Sequence, residues 1–86
     1  MDRSGGIGQR AKESREALGL SQLDVLRVMQ ELDAELAPSL GWLRSVESGL
    51  SRDPGGKKVD LLAKVLQVDE HWLRWGTGSR KRKAGR

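Results

Sequence analysis

Apolar residues recur along this chain at the spacing of a helix and stop at recognisable breakers. Ile7, Ala11, Ser14 with Arg15, and Leu18 fall three or four positions apart, while Gln9, Lys12, Glu13 and Glu16 lie between them. That pattern predicts a first helix with one buried stripe, closed by Gly19. Ser21 is a good N-cap for a second helix from Gln22, whose apolar positions Val25, Leu26, Met29, Leu32 and Leu36 keep the same period. This helix either runs to Leu36 or frays near Asp33. Pro38 ends it in both cases, because the residue before a proline avoids the helical region.

The stretch 39–49 reads as a short helix marked at both ends. The Ser39 hydroxyl can accept an otherwise orphaned backbone N–H, and Gly49 suits a left-handed C-terminal residue. Trp42, Leu43 and Val46 share one face; Leu40, Gly41, Arg44, Ser45 and Ser48 point the other way. A helix this short is marginal alone, so the rest of the chain must hold it. Residues 50–56 form a turn-rich loop. Residues 57–67 restore the helical period through Leu61, Leu62, Val65 and Leu66, and Asp69 caps a last helix from Glu70 to Trp75, ended by Gly76. Strand-type alternation is absent. The expectation is an all-α, compact five-helix domain over residues 7–76, between a flexible glycine-rich arm at 1–6 and a disordered basic tail at 77–86.

Composition narrows the chemistry. Eighty-six residues allow one small domain with a modest core. The chain has no cysteine, so neither disulfides nor thiolate metal sites are expected, and its one histidine, His71, reads as a surface or helix-start residue. Asp24, Asp60 and Asp69 fall on separate helices, where capping or solvation accounts for them. With no nucleophile–base or metal constellation, no enzyme activity, cofactor or small-molecule substrate is expected. Nothing approaches the roughly 18 consecutive apolar residues of a membrane span, and no signal-peptide pattern precedes the first helix. The expectation is a cytoplasmic protein without a membrane partner.

The net charge of +4 belongs to the tail. Arg80, Lys81, Arg82, Lys83 and Arg86 leave residues 1–79 with 11 basic against 12 acidic groups. Within the body, Arg44, Arg52, Lys57 and Lys58 still gather over residues 39–58 and outnumber Glu47 and Asp53 there. Their grouping suggests phosphate contacts. The tail reads either as a solubilising terminus or as an arm that adds salt-sensitive affinity for nucleic acid, or that meets another partner.

Ile7-Gly8-x-Arg10-x-Lys12-x-x-Arg15-x-x-x-Gly19-Leu20-Ser21-Gln22 resembles the opening of the lambda-repressor/Cro-like (XRE-type) helix-turn-helix family. The likeness resumes at Trp42-Leu43-x-x-Val46-Glu47-x-Gly49, then at Pro54, Leu61-Leu62-Ala63-x-Val65-Leu66-x-Val68 and Trp72-Leu73. It implies a recognition helix at 39–48 lying in the major groove of double-stranded DNA, with Ser39, Leu40, Gly41, Arg44 and Ser45 near base edges. Of these, Arg44 could bond guanine bidentately and Leu40 could touch a thymine methyl. The resemblance also implies Gln22 on a phosphate, beside Arg52, Lys57 and Lys58, and an ion pair between Arg10 and Glu47. Two departures stand out. The chain is longer than the family between Ser21 and Glu47, the surplus lying at 33–37, and Leu26 stands where relatives carry a small residue. Both imply wider spacing of the two helices.

Trp72, Leu73 and Trp75 on one short helix are more apolar surface than so small a domain readily covers, which suggests a symmetric homodimer contact. The resulting expectation is a sequence-specific DNA-binding transcriptional regulator, a repressor acting by occupancy of a near-palindromic site. The alternative is a protein-binding adaptor or antitoxin-like module that keeps the fold and has lost specific reading.

Overall fold

Capping chemistry sets the helix boundaries. The computed structural model describes residues 6–50 and 56–81. Its helices are α1 (Ile7–Ala17), α2 (Gln22–Leu32), α3 (Leu40–Ser48), α4 (Gly56–Leu66) and α5 (Glu70–Trp75). Ser21 opens α2 with a reciprocal pair: its Oγ accepts the Asp24 N–H, and the Asp24 carboxylate accepts the Ser21 N–H, both at 3.0 Å. Asp69 caps α5 by accepting the Trp72 N–H at 3.0 Å. Gly19, Gly49 and Gly76 take the left-handed conformation after α1, α3 and α5.

The second helix stops at Leu32, the shorter of the two lengths its pattern allowed. Asp33 leaves helical geometry and makes a turn of its own. Its Oδ1 accepts the Leu36 N–H at 3.1 Å, while its carbonyl oxygen accepts from Leu36 and Ala37. An aspartate side chain offers the backbone this alternative to helix. Leu36 and Ala37 thereby fold back against the core. The extra residues of 33–37 form a capped turn.

The core is all-helical and α4 is its centre, with Val59, Leu61, Leu62, Ala63, Val65 and Leu66 all buried. Val25 and Met29 of α2 pack against α4, and Leu43 of α3 and Leu73 of α5 complete the interior. Helix α1 lies across α3 and α5. Its approach to α3 is close enough that a side chain at Gly8 would overlap the Val46 carbonyl oxygen. The described body is compact, with a Cα radius of gyration of 11.9 Å, and holds no strand among its described residues. None of its helices is long and apolar enough to cross a membrane.

Two expectations are overturned here. Leu73 cannot serve a dimer contact, because it is fully buried in the core. Nor is the tail loose from its start. After Gly76 the chain turns back, the Arg80 carbonyl oxygen accepts the Asp69 N–H at 2.9 Å, and Lys81 forms an isolated antiparallel bridge with Val68. The Arg80 guanidinium lies over the Trp72 ring, 5.4 Å from its centroid. The expectations for residues 1–5 and 82–86, and for Arg52 and Pro54, lie outside the described residues.

Candidate nucleic-acid interface

Helix α3 is fixed at both ends and along one face. The Ser39 Oγ accepts the Trp42 N–H at 3.2 Å, and Gly49 closes the C-terminus at φ 87°. Leu43 and Val46 are fully buried, and Trp42 is half-buried against the core with the Lys58 ammonium 6.0 Å from its ring centroid. The opposite face carries the residues expected to read bases. Ser39, Gly41 and Arg44 are exposed, while Leu40 and Ser45 are half-buried.

A carboxylate holds the helix from its inner flank. Both Glu47 oxygens meet the Arg15 guanidinium, Oε2 from Nε at 2.8 Å and Oε1 from Nη2 at 3.0 Å. Oε1 also accepts from the Gln22 amide at 3.0 Å, and the Arg15 Nη1 donates to the Leu20 carbonyl oxygen at 2.9 Å. The side chains of Arg15 and Glu47 are 12% and 6% exposed, so the pair is largely withdrawn from water. The hydrogen bond with Glu47 raises the Arg15 pKa above its ordinary value against the opposing effect of burial. One cluster thus ties α1, the link after it, the first turn of α2 and α3 together.

This corrects the expected pairing of Arg10 with Glu47. Arg10 and Arg15 lie five positions apart, about 140° of helix rotation, so one guanidinium faces α3 and the other α5. Arg10 donates to the Leu73 and Arg74 carbonyl oxygens, at 2.9 and 3.0 Å. It satisfies the C-terminus of α5, where a cation also suits the helix dipole. Burial there lowers its pKa. The sequence held the signal for Arg15: it sits on the apolar stripe of α1, and a cation on a buried stripe needs an acidic partner.

Beside this cluster Lys12, Arg44 and Ser48 line a depression of about 460 Å³ between α1, α2 and α3, floored by Arg15, Gln22 and Glu47. Lys12 and Arg44 are exposed and make no ion pair among the described residues. Lys12 read as plain solvent face in the sequence; only the packing of α1 onto α3 brings it beside Arg44. Gln22 reaches the same depression, with one of its two amide protons given to Glu47.

The remaining expected residues disperse. Lys57 is exposed but lines a different groove, with Leu32, Leu36 and Leu61 between α2 and α4. Lys58 is half-buried over Trp42. Arg74 joins α5 to the start of α4 through the Gly56 carbonyl oxygen at 3.1 Å and Asp60 at 3.4 Å, a tie the sequence did not suggest. On α5, Trp72 is half-buried beneath Arg80, and only Trp75, 65% exposed, presents a large apolar surface. No family model matches the chain, nor does any curated protein or solved structure.

Proposed function

We propose that the protein is a sequence-specific DNA-binding regulator of the lambda-repressor-like helix-turn-helix type, acting by occupancy and without chemistry. The observation that carries this reading is α3. It is a short helix capped at both ends and clamped by Leu43, Val46 and Glu47, and its outer face presents Arg44 beside Lys12, neither in an ion pair among the described residues. A rigid helix with a free guanidinium on its outer face is what major-groove reading requires. In this reading Ser39, Gly41 and Arg44 approach base edges, Leu40 and Ser45 border them, and Lys12, Gln22 and Lys58 approach phosphates. Binding as a homodimer would use Trp75, the exposed aromatic residue of α5.

The test is DNA binding to the protein's own upstream region and to scrambled DNA, with two variants. Arg44→Ala is expected to lose roughly 1–3 kcal/mol at one base pair and relax preference there. Lys12→Ala is expected to weaken all sequences alike and to lower the salt slope by about one. Equal losses on every sequence from Arg44→Ala would remove its reading role.

A second reading has one observation in its favour. Arg44 is the one long hydrogen-bonding side chain on the outer face of α3, while Leu23, Leu32 and Leu50 are exposed elsewhere. A protein-binding adaptor or antitoxin-like module would show no preference between the two DNAs and would retain a protein partner when Arg44 is changed.

A further inference from the structure

The turned-back chain after α5 borders an open groove of about 300 Å³ on the side of α1 that faces α4. Its walls are mainly apolar, Ala17 and Leu18 from the end of α1 and Leu66 and Val68 from the end of α4 and the link to α5, with Gln67 between the last two. Leu18, 40% exposed, is one of the few large apolar side chains left on the surface, and it stands at this opening. Ser14 lines the groove at 1% exposure, and its Oγ has no hydrogen-bond partner among the described residues. Arg80 and Lys81 supply the rim, and neither makes an ion pair among the described residues. The lining contains no acidic residue.

Mainly apolar walls, a buried hydroxyl and two cations with no carboxylate partner among the described residues match a small amphipathic anion. We infer that this groove binds a short acyl carboxylate, its hydrocarbon between Leu18 and Leu66 and its carboxylate at Arg80 and Lys81. The size agrees, since about 300 Å³ is the lower end of ligand pockets. A ligand here would brace the chain at 80–81 without touching α3. The inference does not depend on what α3 binds.

The experiment is a titration of the full-length protein with octanoate, below the concentration at which it self-associates, followed by amide and indole NMR shifts. Saturable shifts are expected at Ala17, Leu18, Gln67 and Lys81 and at the Trp72 indole, which Arg80 overlies. Octanoate is expected to bind Arg80→Gln about tenfold more weakly, from the loss of one charge-assisted bond, and octanol, equal in length and uncharged, is expected to bind the unaltered protein more weakly still, since it loses both. Leu18→Glu, a surface change that sets a carboxylate against the ligand, is expected to abolish the shifts. Octanol binding as tightly as octanoate would overturn the inference. So would saturable binding unaffected by Leu18→Glu, or shifts spread over Leu23, Leu32, Leu50 and Trp75 in the manner of a detergent.

Discussion

Glu47 is the residue on which the placement of α3 depends. Its two oxygens serve Arg15 and Gln22, and removing them leaves a guanidinium buried on one side without its counterion. Breaking one half of a buried pair is costly, so Glu47→Ala is expected to lower unfolding free energy by about 3 kcal/mol in urea titrations. Arg15→Lys is not a mild change here, since an ammonium cannot fork across both oxygens. Spacing along the chain does not settle which of these side chains meet. That α1 carries cations on its inner stripe is visible from spacing. Which of Arg10 and Arg15 meets Glu47 depends on how α1 is rotated over α3, and that rotation is set by Gly8 meeting the α3 backbone. The partners of Arg10 are main-chain carbonyl oxygens of Leu73 and Arg74, which no side-chain pattern records.

At the scale of elements, the boundaries followed from local chemistry. Ser21, Ser39 and Asp69 each cap the helix they precede, and Gly49 and Gly76 end the helices they follow, because these bonds form within one turn. The junction of α4 and α5 adds an electrostatic feature that spacing did not reveal. The Glu70 pKa lies above its ordinary value of 4.5, chiefly through a hydrogen bond with Asp60, then through partial burial and the charge of Asp60. A raised carboxyl pKa means that folding favours the protonated form. That contribution is present below about pH 4.5 and is lost as pH rises through the raised value, leaving two carboxylates opposed beside Arg74. Glu70→Gln is therefore expected to raise the melting temperature at neutral pH and to make no difference at pH 4 and below. A gain that persists unchanged in acid would disconnect the effect from this pair.

For the whole molecule, the balance of charge separates body from tail, and that much was legible in composition alone. The docking of residues 79–81 was not, because a backbone bond from Asp69 to Arg80 and a bridge at Val68 leave no mark in residue type. Arg82, Lys83 and Arg86 lie beyond this anchor. On the proposed DNA-binding function, a chain stopped after Lys81 is expected to keep its thermal stability and to prefer the native DNA as the full chain does. Its slope of log affinity against log salt should fall by up to about 2.7, at roughly 0.9 for each cation removed. A salt series on both chains measures this directly, and a loss of preference with the tail would move recognition out of the body.

The reach of α1 has a consequence for synthesis. This helix is made before α3 and α5: the carboxylate for Arg15 follows 32 residues later and the carbonyl oxygens for Arg10 follow 63 and 64 residues later. At about 5–20 residues per second, the longest of these delays is roughly 3–13 s. Through that interval Ile7 and Ala11 have no core to enter and Arg10 has no helix end to close. Helix α1 is thus made before the helices that enclose it, and a holding chaperone at the tunnel exit would cover its apolar stripe over that interval.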